Sequence, residues 1–143
     1  MDVGECLRKA LRSVTVRDVM TPVEDLITVE PDEDVVRAFE TMINNDVGCL
    51  PVVDEEGKLL GIVTRTNLGA ALLADDFEPG TRVKDVMEED VVCCSPEDTL
   101  LDVLRKMRRD GEIYNQLPVT EDGKLVGIVT DGDVLRWMAD VVE

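Results

Sequence analysis

The chain has 143 residues, 44% of them apolar but only 3% aromatic, enough aliphatic side chain for one compact domain or two small halves sharing a core. Its net charge of −17, from 32 acidic and 15 basic residues, argues against a nucleic-acid partner, because gripping a phosphate backbone needs a basic face. No apolar run approaches the roughly 20 residues that span a bilayer, and the opening MDVGECLRKALRSV has neither the basic start nor the apolar stretch of a secretion signal. The expectation is a cytoplasmic protein with no membrane segment.

In chain order, Glu5 to Ser13 has the spacing of a short amphipathic helix. VRDVMT follows at residues 16–21 and returns as VKDVME at 83–88, so each copy opens a repeat. Leu26 to Val29 predicts a short strand, and Pro31 starts a helix whose Val35, Val36, Phe39, Met42 and Ile43 share a face. CLPVV at 49–53 is a strand that starts or kinks at Pro51, because proline has no N–H for a sheet ladder. Glu56-Gly57 turns a hairpin into Leu59 to Thr64, and a helix runs from Leu68 to Ala74. Asp75 to Arg82, with Pro79-Gly80, is connecting chain.

The same series then repeats. Ser95-Pro96-Glu97-Asp98 signals a helix start with proline at the first position, followed by Leu100, Val103, Leu104 and Met107 on one face. QLPVT at 116–120 matches the first proline strand, and Asp122-Gly123 is the matching hairpin turn. GKLVGIVT, from Gly123, is identical to GKLLGIVT, from Gly57, at seven of eight positions, and a last helix covers Val134 to Val142. The protein is built twice. Its parts are a helical lead-in at 1–14, a first repeat at 15–76, a linker at 77–82 and a second repeat at 83–143, each repeat β-α-β-β-α. The fold class is α+β, with the two repeats packed sheet to sheet about a pseudo-twofold axis.

The chemistry concentrates where each GIVT strand meets its helix. A strand-end hydroxyl, Thr64 or Thr130, together with the free amides of a helix start can hold an anion. Three residues on stand Asn67 and Asp133. Either could be no more than an N-cap, the position where Asn and Asp are preferred. The four cysteines, Cys6, Cys49, Cys93 and Cys94, form no CxxC, and histidine is absent, which argues against a zinc site. Acidic runs at 32–34 and 54–56 read as solvated turn and helix-start residues. There is no nucleophile elbow, phosphate-binding P-loop or GxGxxG, so the chain is expected not to be an enzyme.

DVMT, LPVV, DEEGKLLGIVT and the Thr-x-x-Asp/Asn turn, each present twice, resemble a CBS-domain pair (Bateman module) over about Thr15 to Met138. The resemblance implies a stand-alone regulatory module that binds adenosyl ligands in two clefts and signals to an unidentified partner protein. The ligands implied are AMP, ADP, ATP or S-adenosylmethionine, with Mg²⁺ as an optional companion and no catalytic cofactor. It also implies a homodimer, supported by apolar Leu135, Trp137, Met138 and Val141 on the last helix and by Leu68, Ala71 and Leu72. A dimeric scaffold that has lost its ligand is the alternative. Similarity to the regulatory insert of IMP dehydrogenase is consistent with both.

Carried over by motif, the stronger cleft combines Thr130 and Asp133 with Thr28, Val47, Gly48 and Cys49. The weaker combines Thr64, Arg65 and Asn67 with Cys93, Tyr114, Asn115 and Gln116. Asp133 would accept from the ribose hydroxyls as a charged group. Asn67 accepts only through its amide oxygen, so Asn67→Asp is expected to strengthen its site. Arg65 would face a phosphate, Gly48 would let a flat ring approach the backbone, and Tyr114 would pack on a base.

Overall fold

In the computed structural model, residues 2–73, 80–109 and 112–143 are described. The expected linker at 77–82 lies partly outside them, as does Ala74 at the end of its helix. The elements are α1 (Val3–Arg12), α2 (Val16–Val19), β1 (Thr21–Pro22), a 3-10 turn (Val23–Asp25), α3 (Val35–Asn45), β2 (Cys49–Val53), β3 (Leu59–Thr64) and α4 (Arg65–Leu73). There follow α5 (Val83–Val86), α6 (Leu100–Met107), β4 (Arg108–Arg109), β5 (Glu112–Ile113), β6 (Gln116–Glu121), β7 (Lys124–Thr130) and α7 (Asp131–Val142).

The chain divides into two units that do not coincide with the sequence repeats. One is contiguous, Ile27–Val91; the other is split, Met1–Leu26 with Val92–Glu143. Each copy's opening segment therefore belongs to the unit built around the other copy. In the split unit β1 pairs antiparallel with β7 through Thr21↔Ile128 and Pro22↔Gly127, and β7 pairs in turn with β6. In the contiguous unit β2 pairs with β3, and Glu88 bonds both ways with Ile62 on the outer side of β3. Val16 and Val83, each fully buried, carry these segments into the two cores. Val16 joins Leu100, Val103, Leu117 and Val129; Val83 joins Met42, Leu50, Val52 and Val63. Burying one such side chain contributes about 1.5–3 kcal/mol.

Two glycines record where the segments cross. A Cβ on Gly127 would come within 2.6 Å of the Thr21 carbonyl oxygen, and one on Gly61 would strike the Glu88 carbonyl oxygen. The glycine of GIVT is thus a crossing point for backbone.

Three local expectations change. Pro31 and Pro96 sit in turns ahead of their helices, closed by Glu33 N–H on Glu30 O and by Asp98 N–H on Ser95 O. The helices begin four residues later, where Asp34 and Thr99 accept from the free amides of the first turn. Pro51 and Pro118 do not start their strands but lie inside them, opposite Ile62 and Ile128, with a break in register one residue further on, between Val52 and Val53 and between Val119 and Thr120. Their carbonyls accept from Val29 and Cys94 on the outer side, where single parallel bridges replace a full ladder, so the missing N–H costs little there. The expected strand at Leu26 to Val29 shrinks to the bridge of Val29 with Val52.

The α6 cap makes a measurable contribution. Asp102 accepts from the Thr99 N–H at 2.9 Å and from its hydroxyl at 3.1 Å. The Thr99 N–H is the main cause that holds the Asp102 carboxyl below the usual range, with smaller help from the Thr99 hydroxyl, Arg105 and Lys106. A lowered folded pKa stabilises above the unfolded value, near 4, and the contribution disappears as pH falls through the lowered value. Asp102→Asn is therefore expected to be less stable than the parent at pH 7, the gap closing at acid pH. Urea melts at the two pH values check this.

Candidate functional site

The Thr-x-x-Asp/Asn turns are helix N-termini closed by reciprocal bonds. In the split unit the Thr130 N–H donates to Asp133 Oδ2 at 2.9 Å, and the Asp133 N–H donates to Thr130 Oγ1 at 3.2 Å. In the contiguous unit the Thr64 N–H donates to Asn67 Oδ1 at 3.1 Å, and the Asn67 N–H to Thr64 Oγ1 at 3.1 Å. The threonine is thus the capping residue and Asp133 or Asn67 the third helical residue, which corrects the expectation that the latter two are the N-caps. Helices α4 and α7 start earlier for this reason, at Arg65 and Asp131.

Within each unit, strand register brings several of the candidate residues together. Cys49 lies opposite Thr64, the Arg65 N–H donates to Gly48 O, and Arg65 Nε donates to Val47 O at 3.1 Å. Thr28 stands one residue before the bridge of Val29 to this hairpin. On the other side Gln116 lies opposite Thr130, and the Asp131 N–H donates to Asn115 O at 2.9 Å. Cys93 stands one residue before the bridge of Cys94 to Val119. Within the contiguous unit, strand pairing and hydrogen bonds thus link Val47, Gly48, Cys49, Thr64, Arg65 and Asn67, and within the split unit Asn115, Gln116, Thr130 and Asp133.

The two turns differ in charge. Asp133 is only 6% exposed, and its second oxygen accepts from the guanidinium of Arg136, whose side chain is 72% exposed. Sequence reasoning missed Arg136, although Asp and Arg three apart on a helix are neighbours. At Asn67 the side-chain Nδ2 donates to Glu88 Oε1 at 2.8 Å. Burial, and secondarily the charge of Glu88, pushes the Cys49 thiol up to about 12, so Glu88 faces the same hairpin end. Glu88 was missed as well, because its segment is more than twenty residues away from Asn67 in the chain. Arg65 is tethered to Asp46 at 3.3 Å rather than extended to solvent alone. The space beside Gly48 is open, with no atom within 4 Å of where a Cβ would stand. Tyr114 packs partly buried against the core of its unit.

Cys49, Cys93 and Cys94 are not nucleophiles poised for reaction. Burial raises the thiol of Cys93 and carries that of Cys94 to about 12. Among the described residues no group of three or more Cys, Asp and Glu is arranged to hold a metal ion, and no helix is long and apolar enough to cross a membrane.

Comparison with known proteins agrees with this architecture. The sequence profile of the CBS domain matches residues 16–74 and 83–140. The chain belongs to the CBS-domain family and carries two tandem CBS repeats. An uncharacterised protein of Methanocaldococcus jannaschii, MJ1225, is 35% identical over 86% of the chain, which spans 42% of that relative. The chain spans less than half the length of the first curated relatives it matches. The solved structure of CBSX2 in complex with AMP, a CBS-pair protein known from Arabidopsis thaliana, is 31% identical. It superposes with a TM-score of 0.80 over 91% of this chain and 99% of that one. The CBS-domain pair of protein MJ0100, in complex with 5′-methylthioadenosine and S-adenosyl-L-methionine, is 26% identical, with a TM-score of 0.76 over 90% of this chain and 98% of that one.

Proposed function

We propose that the chain is a regulatory, non-catalytic module that binds adenosyl ligands at its Thr-x-x-Asp/Asn turns and passes their presence to a partner protein. The observation that supports this most is the likeness, over nine-tenths of the chain, to a CBS pair holding AMP. In this reading Asp133 receives the ribose hydroxyls, the α7 N-terminus and Thr130 face a phosphate, and the open side of Gly48 admits a flat ring in the contiguous unit. Arg136 must leave Asp133 for the ribose to enter. Its exposed side chain makes that exchange inexpensive.

A homodimer is part of the proposal. The groove between α6 and α7 has a volume of about 410 Å³ and is lined by Leu104, Met107, Val134, Leu135 and Met138. Leu135 and Val141 are exposed, but Trp137 turns to the core and Leu68 is buried, so the apolar surface is narrower than expected from sequence. The side chains of Ala71 and Leu72 lie outside the described residues.

A specific observation favours the scaffold alternative: both oxygens of Asp133 are already engaged by the protein. Calorimetry with AMP and S-adenosylmethionine separates the two. Asp133→Asn keeps an acceptor for the Thr130 N–H, so the fold should lose less than about 1 kcal/mol. Affinity at that turn should fall about tenfold to a hundredfold, the range for a lost charge-assisted hydrogen bond. Binding absent in the parent would leave the scaffold; binding unchanged in Asp133→Asn would remove the ribose role and leave Asp133 as a capping residue.

A further inference from the structure

We propose that Glu88 is the acceptor carboxylate of the contiguous unit, and that Asn67 and Glu88 together receive the ribose diol of an adenosyl ligand. This rests on the reading that the unit takes such a ligand. Asn67 cannot act alone as an acceptor. Its Oδ1 already receives the Thr64 N–H at 3.1 Å and the Thr64 hydroxyl at 2.8 Å. What it still offers is a donor, because one Nδ2 hydrogen goes to Glu88 Oε1 and an amide nitrogen carries two. The second oxygen of Glu88 has no partner among the described residues. The pair therefore presents a donor and a charged acceptor side by side, which is what a cis-diol, with two groups that each donate and accept, can use.

Glu88 is also held in place for this. Its backbone exchanges hydrogen bonds of 3.0 and 2.8 Å with Ile62, two residues before Thr64, and its carbonyl lies over Gly61. The effect of its charge on the Cys49 thiol puts it beside the residue that pairs with Thr64. The split unit reaches the same combination by other means, with Asp133 as acid and Arg136 as donor, and has Thr21 at the end of the opening segment where the contiguous unit has Glu88. The acid missing from position 67 is thus supplied by the opening segment of the other copy.

The pair also reverses the expectation for Asn67→Asp. An aspartate there sets two carboxylates against each other, and one must protonate or move away. The experiment uses the full chain with Asp133→Ala to silence the other turn, and calorimetry with adenosine and with 2′,3′-dideoxyadenosine as probes. Adenosine should bind more tightly than the dideoxy compound. Glu88→Gln and Asn67→Asp should each weaken adenosine about tenfold to a hundredfold. The double variant Asn67→Asp/Glu88→Gln should recover most of the loss, because donor and acceptor have changed places. Melting midpoints show whether each variant is folded. Unchanged adenosine affinity in Glu88→Gln, or no rescue in the double variant, overturns the role of Glu88 while leaving the site. No adenosine binding in the Asp133→Ala chain overturns the ligand reading of this unit, and the role of Glu88 with it.

Discussion

Gly127→Ala should cost the split unit about 1–3 kcal/mol, measured by urea denaturation, although it adds a single methyl group. The added carbon would lie 2.6 Å from the Thr21 carbonyl oxygen and 2.7 Å from Met20 Sδ. The sulfur is on a flexible side chain and can move. The carbonyl is backbone in a β1–β7 pairing, fixed by the register Thr21↔Ile128 and Pro22↔Gly127, and can yield only by opening that pairing. Gly69→Ala is the control: no atom stands within 4 Å of its Cβ position, and it lies inside α4. There the substitution should stabilise by about 0.5–1 kcal/mol, since alanine loses less backbone freedom in a helix. Equal effects at the two glycines would show that strand entropy, not the crossing segment, governs Gly127.

Val83→Asp should have the largest effect on the fold, and in an unexpected place. Val83 belongs by sequence to the second repeat, yet it is fully buried among Met42, Leu50 and Val63 of the contiguous unit. A carboxylate there would have no cation to pair with in that apolar cluster, a defect that costs about 3–5 kcal/mol. Hydrogen exchange should then show lost protection in β2 and β3, with β6 and β7 affected less. Val16→Asp should produce the converse. If Val83→Asp instead opened β6 and β7 first, the assignment of α5 to the contiguous unit would be wrong.

The hairpins were legible in the sequence because their determinants are local. Glu56-Gly57 and Asp122-Gly123 announce tight turns, and Gly57 and Gly123 do adopt positive φ, of 83° and 80°. The Thr-x-x-Asp/Asn turns were legible as helix starts for the same reason, with the cap misplaced by three residues because a capping box divides the task between its two ends. The destination of the opening segments was not legible. VRDVM and VKDVM are nearly the same, so each copy's apolar pattern suits either sheet, and the choice rests on pairing between distant parts of the chain. Glu88 was hidden by the same fact. A reading that keeps each segment with its own repeat cannot bring residue 88 to residue 67. Arg136 was different: its place three residues after Asp133 on the same helix was plain in the sequence.

The division of the chain into a contiguous and a split unit sets an order for events during synthesis. Residues 27–91 leave the ribosome as an uninterrupted run and can close their core once Val83 and Glu88 have emerged. Residues 1–26 precede this run but find their strand partner in β7, about a hundred residues later. Contacts that far apart in the chain form late. Until β7 is made, Leu11, Val14, Val16 and Val19 lack part of the core they enter, so a segment made before the contiguous unit is covered after it. Its three acids and four bases within residues 1–18 are the means at hand for keeping that apolar surface in solution meanwhile.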